Sequence, residues 1–311
     1  MPTIATNVVR RADLEALPVS FPHPFLVESL APYFRRDAAA GTLYYQALRQ
    51  APAAQYGRDT AALAEINSTV IAATTTTFSG SECRARIEMS YDQVRGYASQ
   101  EGADIAMARM AKRAFYLKLE TLCAKALLES ATPINGQADP IGVIDAQCAK
   151  LRDKAYGIGE VALTMSHSVF AALKANQSII ERMKATGVIA MGLEPRYISQ
   201  EQMAAVFGVD KVLVGMDTIW RFGIGGAYRG NVALSVLPSK EVDCAEEPQW
   251  ARTIYYDWGS EAEHYILEEF HNPIKDCWTM DAKGIIDFKI LNASMAVPIQ
   301  IYAGGDSSSS N

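Results

Sequence analysis

Residues 100–130 read QEGADIAMARMAKRAFYLKLETLCAKALLES, and after Gly102 neither proline nor glycine occurs until Pro133. A stretch so free of helix breakers predicts one α-helix from about Gln100 to Ser130, roughly 45 Å long at 1.5 Å per residue. Ile105, Ala108, Ala111, Phe115, Leu119, Leu122 and Ala126 recur at steps of three and four and form one apolar seam. A second, weaker seam through Met110, Ala114, Leu117, Ala124 and Leu128 lies nearly opposite, with Arg109, Arg113, Tyr116 and Glu120 on a polar stripe between. Such a helix needs cover on two sides. Met107 and Met110 read as packing residues.

Upstream of the helix, residues 65–86 are rich in β-branched side chains and turn at Ser79-Gly80-Ser81, the pattern of a β-hairpin or extended loop. Apart from Val70, Ile71 and Phe78 this hairpin has little apolar mass, too little to hold an isolated two-stranded ribbon together. It is either a mobile surface loop or an arm lying on a neighbouring subunit. Earlier still, Pro18, Pro22, Pro24, Pro32 and Pro52 forbid long helices and central strands, so residues 1–60 read as an irregular arm with one short helix around Pro24 to Leu30.

Downstream the pattern changes to alternating short elements. A helix over Val143 to Tyr156 stops at Gly157; Val161 to Met165 is a buried strand; Ser166 caps a helix reaching Asn176; and another helix spans Ser178 to Thr186. Ser199-Gln200-Glu201-Gln202 is a capping box that opens a helix ending at Gly208, before the strands Lys211 to Val214 and Val232 to Leu237. These make an α+β domain over about 137–245. The last sixty residues alternate as strands do, with Ile254, Tyr256 and Trp258, then Ile286, Phe288 and Ile290, on one face. An antiparallel sheet covered by the long helix follows, so residues 91–136 and 246–303 form one discontinuous domain with the α+β domain inserted. Gly304 to Asn311, with four serines in a row, reads as a disordered tail.

Composition and chemistry narrow the function by exclusion. The 311 residues are 49% hydrophobic and 21% charged, which excludes disorder as the main theme. Twenty-nine basic against 35 acidic residues give a net charge of -6, so no strongly basic surface marks a high-affinity nucleic-acid binder. Residues 251–311 alone carry 4 basic and 9 acidic side chains. Cys83, Cys123, Cys148, Cys244 and Cys277 lack the spacing of a zinc or redox motif and fit a reduced, intracellular chain. Neither a secretory signal nor a membrane span is legible.

The glycine cluster Gly223 to Gly230 fails as a phosphate loop: Tyr228 stands where a dinucleotide fingerprint has its third glycine, and a strand rather than a helix follows. A flexible connection is the better reading. His264 and His271 lack the spacing of a helical ligand pair, Ser166-His167-Ser168 lacks the glycines of a nucleophile elbow, and the glutamate pairs read as solvated. We expect no catalytic residue, no metal and no cofactor; a soluble enzyme using Gly223 to Gly230 as a ligand loop is the distant alternative.

The succession of arm, extended hairpin, long helix, inserted α+β domain and returning sheet resembles the major capsid protein of tailed bacteriophages, with the Hong Kong 97-type fold. The stretches Ala162 to Ser166 leading into Val169 to Leu173, Ile198 to Val209 followed by Lys211 to Gly215, and Val232 to Ser235 resemble that family too. The resemblance implies an N-terminal arm over 1–60, an E-loop over 61–90, a spine helix at about 100–130 in the peripheral domain, and an axial domain over 137–245. It implies self-assembly into pentamers and hexamers of an icosahedral head that encloses double-stranded DNA, built in the host bacterial cytoplasm. Portal, scaffolding and decoration proteins would be partners, and a membrane would not.

In those terms Val70, Ile71, Phe78, Arg84 and Arg86 are candidate intersubunit contacts, and Arg109 and Arg113 are candidates to line the lumen. Some members join subunits through an E-loop lysine; the first lysine here is Lys112, so that crosslink is not expected. No long charged helix precedes the arm, which implies that scaffolding is separate, already removed or unneeded. An encapsulin-like nanocompartment shell shares the fold and is the nearer alternative.

Overall fold

The computed structural model describes residues 8–16, 25–46, 73–155, 157–187, 198–220, 231–238, 248–256, 264–272 and 274–301. The N-terminal part forms β1 (Val9–Arg10), α1 (Ala12–Glu15), α2 (Val27–Leu30), β2 (Tyr33–Arg36), β3 (Ala40–Gln46), β4 (Ala73–Ser79) and β5 (Ser81–Ser90). α3 (Tyr91–Arg95) precedes the long α4 (Gln100–Leu128). Next come β6 (Ile134–Asn135), α5 (Pro140–Lys154), β7 (Glu160–Ser166), α6 (His167–Lys174), α7 (Gln177–Ala185), α8 (Gln200–Phe207), β8 (Lys211–Gly215), α9 (Asp217–Trp220) and β9 (Asn231–Leu237). The chain closes with β10 (Ala251–Tyr256), β11 (Ile266–Asn272), β12 (Cys277–Ile290) and β13 (Ala296–Gln300).

The first sheet is built on the 14-residue strand β12, and its order is β1-β11-β12-β10-β2 with β5 also on β12. β10 and β11 pair successive stretches of β12, from Ala251 opposite Ile290 to Asn272 opposite Cys277. Period-2 alternation sends Cys83, Ala85 and Met89 of β5 inward. They meet α4, which buries Ala103, Met107, Ala108, Ala111, Phe115, Leu119, Cys123 and Leu127. Each large apolar side chain so covered contributes about 1.5–3 kcal/mol. Gly284 of β12 lets the helix approach, since a Cβ there would sit 3.3 Å from the Phe115 ring and 2.5 Å from the His264 carbonyl oxygen.

The first expected seam is buried at Ala108, Ala111, Phe115 and Leu119, but polarity misplaces other positions of the helix. Met110 and Leu122 are exposed, whereas Tyr116 and Glu120, expected on a polar stripe, are buried. Their burial has a physical reason: Tyr116 stacks on Phe25 at 5.3 Å, and the Glu120 carboxylate receives three hydrogen bonds.

The second sheet has the order β6-β13-β9-β7-β8, with β7 parallel to β8, β9 antiparallel to both β7 and β13, and β6 parallel to β13. Every residue of β9 is buried, so this strand needs neighbours on both edges. β13 supplies one of them, which corrects the expectation that residues 246–303 belong with the first sheet throughout. Local signals held in this region: Ser166 caps α6, Ser199 and Gln202 form a capping box on α8, and Gly208 ends it at φ 64°.

The expected hairpin over 61–90 is also corrected. Ser79-Gly80-Ser81 carries the chain directly from β4 into β5, and these two strands have different partners. β4 pairs with β3, from Ala40 opposite Ser79 to Gln46 opposite Ala73, whereas β5 pairs with β12 over ten residues. The apolar alternation of β5 is what α4 requires; the threonine run of β4 has only Phe78 to bury. Within 1–60, β1 and β2 occupy the two ends of the first sheet's strand order, so the arm is less irregular than its prolines suggest, although none of its strands is central. The glycine cluster and the serine tail lie outside the described residues.

Candidate assembly surfaces

β3 and β4 form a two-stranded ribbon that has no third strand among the described residues. Its base is held by a small apolar cluster separate from the main core: Leu43 and Phe78 of the ribbon against Ile254 and Leu291, with Phe34 packed alongside. The Arg36 guanidinium lies 4.6 Å from the Phe34 ring centre and 5.9 Å from that of Phe78. Ser79 N–H donates to Asp287 Oδ2 at 3.0 Å and Gly80 N–H to the Ala39 carbonyl at 2.7 Å. Gly80 is needed for this approach, because a Cβ would meet Ile285 Cγ2 at 2.5 Å. Beyond the base, Thr75 and Thr77 are exposed. A two-stranded ribbon of this composition is marginal by itself.

Ionic contacts pin the segment from Val9 to Glu15. Arg11 donates to Asp13, to Asp104 at 3.1 Å and to Glu269. These carboxylates, Asp13 first, hold its guanidinium more firmly protonated than usual, and Arg11 in turn holds the Asp13 carboxyl below its ordinary value. Arg10 forks onto both oxygens of Glu15 at 3.0 Å, and Glu15 Oε1 also accepts from Leu267 N–H at 3.1 Å. Lys112, fully buried on α4, donates to the Glu15 carbonyl at 2.7 Å.

Glu120 ties three elements together. Its Oε1 accepts from Leu26 N–H at 3.0 Å and Trp220 Nε1–H at 2.6 Å, and its Oε2 from Val27 N–H at 2.8 Å. Burial pushes its carboxyl pKa up; the three donors pull it down, and burial prevails. Trp220 is seated on Gly215, where a Cβ would lie 2.0 Å from the indole Cδ1.

The residues singled out from sequence fare differently. Val70 and Ile71 lie outside the described residues. Phe78 is 5% exposed and faces its own chain, where it anchors the ribbon. Arg84 and Arg86 are exposed on β5 but have intrachain carboxylates. Arg86 Nε and Nη2 each reach Asp281 at 2.8 Å, and Arg84 lies 2.7 Å from Glu82 and 3.7 Å from Asp281. Arg109 and Arg113 stand exposed on α4 without an ion pair among the described residues. Lys118 and Lys125 are exposed on α4 too, but five to sixteen positions from Arg109 and Arg113, which puts them on a different side of the helix.

Cys83, Cys123, Cys148 and Cys277 are buried free thiols, and burial pushes the Cys123 thiol well up. Among the described residues no group of His, Cys, Asp and Glu has the arrangement of a metal site, and no helix is long and apolar enough to cross a membrane.

No protein-family model matches the sequence, and a search of curated proteins finds no match. Solved structures do match, over nearly the whole chain. A phage-related protein from Bordetella bronchiseptica superposes with a TM-score of 0.65 at 16% identity, covering 94% of this chain and 97% of that one. The capsid structure of cyanophage P-SCSP1u gives 0.57 at 9% identity, covering 92% and 90% respectively. A virus-like particle from Pyrococcus furiosus gives 0.51 at 12% identity, covering 93% and 96%. Superposition over more than nine-tenths of the chain shows that it has the Hong Kong 97-type fold of phage capsid proteins.

Proposed function

We propose that the chain is a major capsid protein that assembles into pentamers and hexamers of an icosahedral phage head around double-stranded DNA. The observation that carries this reading is the β3–β4 ribbon, anchored at one end and without a third strand among the described residues. A ribbon that cannot stabilise itself acquires its missing partners when it overlaps an adjacent copy, and closed symmetry lets every copy give and receive the same contact. In this reading residues 40–79 contain the E-loop, α4 is the spine helix of a peripheral domain built on the first sheet, and the second sheet belongs to the axial domain. The role is structural, the location is the virion shell, and portal and scaffolding proteins are the further partners.

The experiment is expression of the full chain followed by size-exclusion chromatography and negative-stain microscopy. Closed particles are expected, and they should be lost when residues 47–72 are replaced by a short glycine-serine turn. A protein that stays monomeric at high concentration, or forms shells equally well with the shortened ribbon, would refute the proposal. The match to the Pyrococcus particle favours one second reading, a nanocompartment shell. Particles recovered from the native host with nuclease-protected DNA support a phage head; particles filled with protein support the alternative.

A further inference from the structure

The second sheet has two unlike faces. Val161, Leu163, Val232, Leu234 and Val236 alternate onto one of them, which α5 covers. The other carries Ala162, Thr164 and Ser166 of β7 with Asn231, Ala233 and Ser235 of β9. This face is turned toward α9 and α4: Gly215, opposite Ser166 in the register of β8, seats Trp220, whose indole donates to Glu120 of α4. Its six residues are at most 4% exposed, yet half of the face is polar and the rest is alanine or serine. Ser166 Oγ has partners, sharing a hydrogen bond with Ser168 Oγ at 3.0 Å and accepting from Val169 N–H at 3.4 Å. Thr164 Oγ1, Asn231 Oδ1 and Ser235 Oγ are buried and have no hydrogen-bond partner among the described residues.

The three atoms are placed regularly. Thr164 stands opposite Ala233, and Asn231 and Ser235 lie two residues to either side of Ala233 along β9. Thr164 therefore faces each of them diagonally, with Cα atoms about 7–8 Å apart, a gap that one small molecule making two hydrogen bonds of about 2.8 Å can span. The alanines at 162 and 233 leave room that larger side chains would fill. Two hydroxyls and one amide oxygen offer donors and acceptors without formal charge, a set that suits water rather than an ion. We infer that two internal waters occupy this face, one bridging Ser235 Oγ to Thr164 Oγ1 and the other bridging Thr164 Oγ1 to Asn231 Oδ1. The Thr164 hydroxyl accepts from the first water and donates to the second, which donates in turn to Asn231 Oδ1, so the shared hydroxyl is the centre of one polarised chain. Buried waters typically make two to four hydrogen bonds, and these side chains supply two to each. The waters join β7 to β9 on the face where side chains are too small to interlock with α4, and they do so whether or not the chain forms a shell.

The test is urea unfolding of the full-length, unassembled chain with and without the hydroxyls. Thr164→Val removes the shared hydroxyl at nearly constant volume and leaves both waters short of a partner, so the unfolding constant should rise about 5- to 30-fold. Ser235→Ala leaves one water short and should raise it less; added to Thr164→Val, it should cost less than it does alone. A dry face predicts the opposite sign, because Thr164→Val would then remove an unpaired buried hydroxyl and stabilise the fold. An unchanged or lowered unfolding constant in Thr164→Val therefore overturns the inference. An experimental structure of the unaltered chain at a resolution that shows ordered water tests it independently of how the variants fold. Two waters are expected, both about 2.7–3.0 Å from Thr164 Oγ1 and each the same distance from Ser235 Oγ or Asn231 Oδ1. Groups of the chain itself bonded to these three atoms, or a face without water, would overturn it.

Discussion

His264 gives the sharpest stability prediction. Its ring stacks on Tyr33 with centroids 3.7 Å apart, and Tyr116, Tyr255 and Tyr265 surround it at 5.6, 5.7 and 5.6 Å. Its Nε2 is buried without a hydrogen-bond partner among the described residues. This environment disfavours the imidazolium, and burial pushes the pKa down from 6.5 to about 3. The unfolded chain therefore binds a proton between pH 6.5 and 3 that the folded chain refuses, so stability falls as the pH falls through that window. The single-site expression gives a loss of about 2 kcal/mol between pH 7 and pH 5, and about 3 kcal/mol by pH 4. His264→Phe keeps the aromatic stack and removes the titration. It should match wild type within about 1 kcal/mol at pH 7 and lack this part of the acid slope. Urea unfolding of the unassembled protein at pH 7, 6 and 5 measures both. Parallel pH profiles for wild type and variant would refute the claim that the fold holds His264 neutral.

Other substitutions test the packing directly. Glu120→Ala strands the Leu26, Val27 and Trp220 donors and should cost about 3–5 kcal/mol in urea unfolding. Glu120→Gln keeps the oxygen facing Leu26 and Trp220 but turns an amide toward Val27 N–H, and should cost about 1–3 kcal/mol. Gly215→Ala forces a methyl into the Trp220 ring and should cost at least about 1–3 kcal/mol, with a changed Trp fluorescence spectrum as its second sign. Arg86→Ala leaves the Asp281 carboxylate buried with only Arg84 at 3.7 Å and should cost about 1–3 kcal/mol; adding Asp281→Asn should recover part of that loss in a double-mutant cycle.

What was legible in the sequence was local. Ser199, Gln202 and Gly208 delimit α8 because caps act within a few residues, and the run from Gly102 to Leu128 is helical because nothing inside it breaks a helix. The strand partners were not legible. Ser79-Gly80-Ser81 has the composition of a turn, yet β4 pairs with a strand whose nearest residue, Gln46, lies 27 positions before Ala73, and such pairing leaves no local mark. β13 was assigned to the wrong sheet for the same reason: its apolar alternation suits any neighbour, and only the fully buried β9 decides which one it takes. Glu120 and Tyr116 were misplaced because polarity was taken to mean exposure. A carboxylate that receives three hydrogen bonds can be buried, but its donors come from residues about a hundred positions away. On the candidate surface, Arg109 and Arg113 were found because they flank a seam.

The two segments that precede α4 are tied to the body by different forces. The ribbon is held at its base by Leu43 and Phe78, which pack on Ile254 of β10 and on Leu291 in an apolar cluster that does not merge with the main core. The segment from Val9 to Glu15 has little apolar anchorage beyond Leu14; besides the short β1–β11 pairing it is held by Arg10, Arg11 and Lys112 meeting carboxylates and a carbonyl. Charge pairs at the surface weaken as salt screens them, whereas apolar contacts do not. Rising ionic strength should therefore loosen the exposed Arg10 and Asp13 contacts first, leave the buried Lys112 contact less affected, and leave the ribbon base intact. One chain thus has two attachments that solution conditions can shift separately.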